Sequence, residues 1–68
     1  PAGRSIRVML VDDSLIVRSV LERIIGTAPG MTVCASVASA AAALDWLAQD
    51  RADLIILDIE MPGMTGLA

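Results

Sequence analysis

Three aspartates stand directly behind apolar runs. Asp12 and Asp13 follow Val8-Met9-Leu10-Val11, and Asp58 follows Leu54-Ile55-Ile56-Leu57. If both runs are neighbouring parallel strands, three carboxylates converge at one rim of a sheet. Carboxylates crowded in this way repel one another, and a cation or a functional role must offset the repulsion. That rim is therefore where the sequence directs attention.

The carboxylates meet only if the chain between them returns to the same end of a sheet, and the residue pattern predicts that it does. Residues 7–11 read as a short buried strand, apolar without polar alternation. Ser14 or Asp13 suits a helix N-cap. Val17, Val20, Leu21, Ile24 and Ile25 then recur at spacings of three and four, predicting one apolar helix face. Gly26 suits the position just past that helix, and Pro29-Gly30 forbids its continuation. Residues 31–37 read as a second strand containing Cys34. Ser36 or Ser39 can cap a second helix through residues 40–47, where the alanine run favours helix and close packing. Residues 50–53 form a polar turn. Residues 54–57 are the third and most apolar strand, and residues 61–66 are a loop shaped by Pro and Gly. Residues 1–5 read as a loose tail.

The order β-α-β-α-β with short connections specifies a parallel sheet with right-handed crossovers. In such open sheets, ligands bind beyond the carboxyl ends of the strands, where the winding reverses. For Asp12, Asp13 and Asp58 to share one ligand, the first and third strands must be adjacent, about 4.8 Å apart. The expected spatial order is 2-1-3.

Bulk properties narrow the function classes. Sixty-eight residues allow one small domain, and a chain of this size buries only about 60% of its unfolded surface. Yet 56% of the residues are hydrophobic and Trp46 is the only aromatic. So much apolar material on so short a chain predicts surfaces that something else covers. The net charge is −3, every basic residue is Arg, and Lys and His are absent. That balance argues against nucleic acid or an anionic membrane as a direct partner. A lone Cys34 excludes an intrachain disulfide and fits a cytoplasmic setting. No apolar run is long enough to read as a membrane span, and no signal peptide is visible. The chain starts at Pro1 and stops at Gly66-Leu67-Ala68, in what reads as a loop or a helix start, so a fragment or a processed product is expected.

The motifs themselves resemble a known family. Val11-Asp12-Asp13-Ser14 before a helix, followed by Leu57-Asp58-Ile59-Glu60-Met61-Pro62-Gly63-Met64-Thr65-Gly66-Leu67, is similar to the receiver domain of bacterial two-component response regulators. Asp-Asp-Ser with Arg18 four residues on, and Asp-Ile-Glu-Met-Pro, looks most like receivers attached to chemotaxis protein-glutamate methylesterases. The resemblance spans essentially the whole chain but only the first part of a receiver. It implies a truncated flavodoxin-like fold, with the fourth and fifth strands missing. It implies that Asp58 is the phosphoacceptor. Asp13, and Asp12 partly through water, would hold a divalent cation, usually Mg2+, together with Asp58 and the backbone carbonyl of Glu60. The donor would be a phosphohistidine on a sensor histidine kinase or a small phosphodonor, and the controlled output domain would follow in the parent protein. Thr65 stands where many members carry Asp. A complete receiver also supplies a Ser or Thr and a Lys from its later strands. This chain has no lysine, so a phosphoacceptor site without its full switch is expected, and no turnover of its own.

Blander readings stand beside these. Asp12 and Asp13 also suit the positive end of a helix dipole. Ser14 reads as a cap rather than a nucleophile, since no histidine exists to activate it. Cys34 reads as a small buried hydrophobe, and Trp46, Met31, Met61 and Met64 as packing. Arg18 and Arg23 are expected on the outer face of the first helix. A second function class is an assembly module, because an uncovered third strand offers an open edge for a homo-oligomer. A nucleotide-binding fold would need glycines after the first strand, which Asp-Asp-Ser-Leu lacks. A haloacid-dehalogenase-type phosphatase would place its Asp pair behind a single strand, a poor fit to Asp58-Ile59-Glu60.

Overall fold

Val8, Met9, Leu10 and Val11 are all essentially inaccessible to solvent, at 0–1% exposure, which explains why this run carries no polar alternation. They form most of β1 (Ile6–Val11), the central strand of a parallel sheet covered on both faces. The computed structural model describes residues 5–58. Residues 1–4 of the expected tail, and the loop expected at 61–66, lie outside the described residues. The elements are β1, α1 (Leu15–Gly26), β2 (Met31–Val37), α2 (Ala40–Leu47) and β3 (Leu54–Leu57). The sheet order is β2-β1-β3 with both pairings parallel, as the convergence of the acids requires.

Alternate residues of β1 serve opposite layers, as strand geometry dictates. Val8 and Leu10 pack with Ile25 of α1. Met9 and Val11 pack with Ala43 of α2, whose small side chain admits close approach. Burial of each large side chain contributes about 1.5–3 kcal/mol. Between β1 and β2 the register shifts: Val8 lies opposite Val33, but Met9 lies opposite Ala35. Cys34 is thus the extra residue of a bulge. It packs on the α2 side beside Ala35, in keeping with its reading as an apolar filler.

Local chemistry sets the helix ends. The Oγ atoms of Ser14 and Ser39 accept hydrogen bonds from the backbone N–H of Val17 (3.2 Å) and Ala42 (3.1 Å), so each serine is the N-cap. Gly26 is the last residue of α1 rather than the one beyond it, and Thr27 is the C-cap. The left-handed turn falls instead at Gly30, with φ of +79°. A glycine is needed there because a Cβ is strained in that region. The Gly30 carbonyl then accepts from Ile6 N–H at 2.7 Å, drawing the chain back beside β1.

One expectation about packing changes, and the uncovered third strand is present as expected. The apolar stripe of α1 splits: Leu21 and Ile25 meet the sheet, while Val17, Val20 and Ile24 stay exposed. The line facing the sheet runs through positions 14, 18, 21 and 25, so half of the wide stripe turns away. β3, the most apolar strand in sequence, is the least covered. Leu54, Ile55 and Leu57 are 44%, 44% and 40% exposed, and Ile56 alone of this strand packs against the α1-side core.

The entry of β3 is fixed by Arg7. Its N–H donates to Asp53 Oδ2 at 2.8 Å, its Nε donates to the Arg51 carbonyl at 3.0 Å, and its Nη2 pairs with Asp50 Oδ1 at 3.1 Å. The guanidinium also lies 5.9 Å from the Trp46 ring centroid. The ion pair is solvated and worth under about 1 kcal/mol. The geometric effect matters more, since anchoring this end of β3 sets where its far end emerges.

Candidate functional site

β1 and β3 leave the sheet together. Val11 lies opposite Leu57, so the next residue of each strand stands in the next rung. The ladder continues one bond further on both sides of β1. Asp58 N–H donates to the Val11 carbonyl at 3.0 Å, and Asp12 N–H donates to the Val37 carbonyl at 3.1 Å. Backbone pairing therefore fixes both acids before their side chains make any contact. Asp13 extends the β1 exit toward solvent and is exposed, whereas Asp12 and Asp58 are half-buried.

The expected convergence is present. One carboxylate oxygen from each of Asp12, Asp13 and Asp58 lies within 4.8 Å of the other two. That spacing is comparable to the separation of up to about 4.2 Å between oxygens that share one ion of Mg2+ size. The donor set is all oxygen, as a hard divalent cation requires. The cluster thus fits such a cation. Glu60, whose backbone carbonyl the resemblance assigns to the same ion, lies outside the described residues.

Asp12 has a local role as well. Its Oδ1 accepts from Ser14 N–H at 2.8 Å, which closes the turn between β1 and α1. This local role is a turn-closing bond rather than the helix-dipole effect of the blander reading. It does not displace the sharper one, because a carboxylate offers about four acceptor sites. Ser14 itself is engaged as a cap, which supports its structural reading.

Arg18 corrects an expectation. The outer face of α1 is the expected place for both Arg18 and Arg23; Arg23 is exposed, but Arg18 is half-buried. Its Nη1 donates to the Asp12 carbonyl at 3.1 Å, and its Nε is buried. Helical side chains lean toward the N-terminus and cover the preceding turn. An Arg four residues after Ser14 is thus carried back over the corner that holds the acids. The spacing of Arg18 with Ser14, Leu21 and Ile25 was the available signal.

Comparisons with known proteins agree with this geometry. A family model described as the response regulator receiver domain matches residues 8–68. Among curated relatives, protein-glutamate methylesterase/protein-glutamine glutaminase 1 of Paramagnetospirillum magneticum is 52% identical over 67 residues, covering 98% of this chain. A similarly named protein of Burkholderia lata is 42% identical over 66 residues, and one of Pyrococcus abyssi is 43% identical over 65, covering 97% and 96% of this chain. The chain spans only 18% of the length of each of these relatives.

Proposed function

The chain belongs to the response regulator receiver domain family, and on that premise we propose that it is a phosphoacceptor module whose reacting group is the Asp58 carboxylate. The observation that carries this reading is the meeting of Asp12, Asp13 and Asp58 at the carboxyl ends of two adjacent parallel strands. In the proposed reaction an Asp58 oxygen attacks phosphorus in line and forms an acyl phosphate. The bond from phosphorus to its donor breaks, and the donor leaves with the electron pair and takes up a proton. For a phosphohistidine donor, the imidazole nitrogen is that leaving group.

Asp12, Asp13 and Asp58 would hold Mg2+, with the Glu60 carbonyl as a further ligand. The bound ion supplies charge neutralisation between the carboxylates and the phosphoryl oxygens. Asp13 is the most accessible of the three, and Asp12 is held by bonds at its N–H, its carbonyl and its Oδ1. The sheet rim fixes the Asp58 backbone through the bond from its N–H to the Val11 carbonyl.

Residues 1–68 are read as the N-terminal part of one receiver. A sensor histidine kinase is the proposed donor. The names of the relatives support a methylesterase output domain elsewhere in the same polypeptide. The test is intact-mass measurement of the full-length protein after incubation with Mg2+ and a small phosphodonor. Wild type should gain one phosphoryl group, and Asp58→Asn should gain none. Equal phosphorylation of both proteins would overturn the assignment.

A second reading is favoured by one specific observation. The exposed Leu54, Ile55 and Leu57 of β3 suit an assembly module that pairs chains without phosphotransfer. Failure to phosphorylate, together with concentration-dependent self-association of the full-length protein, would favour it.

A further inference from the structure

Arg18 is the charged residue that the packing of α1 leaves least explained. It shares the sheet-facing line with Ser14, Leu21 and Ile25, where an apolar side chain is the ordinary occupant. Its charge stands near the N-terminal end of a helix, where the dipole disfavours a cation. Its Nε is buried without a hydrogen-bond partner among the described residues, which is a cost. Three unfavourable terms at one side chain call for an offsetting role. The contact made by its head group indicates which: Nη1 donates to the Asp12 carbonyl at 3.1 Å.

That bond completes the fixing of Asp12. The N–H of Asp12 is tied to the Val37 carbonyl, its Oδ1 to Ser14 N–H, and its carbonyl to Arg18. The first two bonds come from the sheet and from the turn. The third comes from a side chain one helical turn away, so it locks the start of α1 to the end of β1. Resting on the receiver reading, we propose that Arg18 is a positioning residue for the cation site, holding the Asp12-Asp13 corner in the arrangement that a divalent ion needs.

Two effects of Arg18 oppose each other. As a nearby positive charge it repels a divalent cation, so its removal would tighten binding. As a pin on the Asp12 backbone it preorganises the ligands, so its removal would loosen binding. The guanidinium pairs with a backbone carbonyl rather than with the Asp12 or Asp13 carboxylate. Such a bond fixes the corner without occupying a ligand oxygen, and on this proposal its loss outweighs the relief of repulsion. Groups that orient metal ligands typically change affinity by about 10- to 100-fold when removed, and the lower end suits a single bond to a partly exposed corner.

The experiment is calorimetric titration of the full-length protein with Mg2+, paired with thermal unfolding of the metal-free protein. Wild type should bind, and Asp13→Asn should bind much more weakly. If wild type does not bind, the cation-site reading fails before any change at Arg18, and the proposal falls with it. Given wild-type binding, Arg18→Met should weaken Mg2+ affinity by roughly 10-fold, and Arg18→Lys should recover part of the loss. Unchanged affinity with a lowered melting temperature would assign Arg18 a merely structural role and overturn the proposal. Tighter binding would overturn it in favour of the charge effect. Should Arg18→Met fail to fold, Arg18→Leu carries the comparison, because it also removes every donor while keeping apolar bulk on the sheet. Weaker binding by Arg18→Leu supports the proposal, and equal or tighter binding overturns it.

Discussion

Asp12 carries two roles that a single substitution can separate. Its Oδ1 closes the turn onto Ser14 N–H, and its carboxylate stands in the acidic cluster. Asn preserves the acceptor and removes the charge, whereas Ala removes both. Asp12→Ala should lower metal-free stability by about 1 kcal/mol, the usual net worth of one hydrogen bond. Asp12→Asn should leave metal-free stability unchanged or slightly raised, since carboxylate repulsion is relieved. Both should weaken Mg2+ binding. Urea unfolding and Mg2+ titration of the two variants decide the matter; equal destabilisation by both would mean that the turn depends on charge rather than on the bond. The sequence placed all three aspartates correctly, because a residue directly behind a buried strand has little freedom in where it emerges. Arg18 is less legible, because a charge suggests an outward face, whereas a long side chain can lay its stem on the sheet and bring its head to a polar corner.

The strands were legible in sequence and the helix faces only in part, and one physical reason covers both. A strand covered on both sides must be apolar at every position, which residues 8–11 display; residues 54–57 share the pattern without the cover. A helix with a wide apolar stripe does not declare which half meets the sheet. Val17, Val20 and Ile24 share that stripe with Leu21 and Ile25 yet stay exposed. Nor is apolar content a measure of burial, since β3 is uniformly apolar and largely uncovered. Similar side chains should therefore differ sharply in energetic weight. Leu10 is fully buried and Ile16 is 77% exposed. Leu10→Ala should cost about 2–5 kcal/mol, and Ile16→Ala should stay within about 0.5 kcal/mol of wild type. Shifts of the receiver's urea midpoint measure both. Comparable losses would show that α1 is covered along the flank that holds Ile16. The cap should register between these extremes, with Ser14→Ala costing about 1 kcal/mol.

The described residues form a three-stranded sheet whose two sides are unequal. At the β2 edge the neighbouring helices and strand cover apolar residues; at the β3 edge an apolar hollow lies open, lined by Val11, Ala40, Ala43, Leu44, Leu47, Ile55 and Leu57. Among the described residues, no helix is long and apolar enough to cross a membrane, so in this part of the molecule the exposed apolar surface is not that of a membrane-spanning helix. In water such a surface favours contact with other apolar surface, at about 25 cal/mol per Å2 removed from solvent. An unpaired parallel edge adds a row of free backbone donors and acceptors beside it. The 68-residue chain studied on its own should therefore associate as its concentration rises. Charges along an edge strand are the ordinary deterrent to such pairing, and Ile55 is suitably placed on β3, exposed and beside the hollow. Ile55→Lys should shift the chain toward monomer in sedimentation equilibrium. The Asp12, Asp13 and Asp58 cluster lies at the carboxyl rim rather than in this hollow, so Mg2+ titration should remain close to wild type. Association that is unchanged by Ile55→Lys would show that copies meet elsewhere, with the exposed flank of α1 the next surface to substitute. A wild-type chain that stays monomeric at high concentration would remove the β3 edge as a meeting surface, and with it the assembly reading of this receiver.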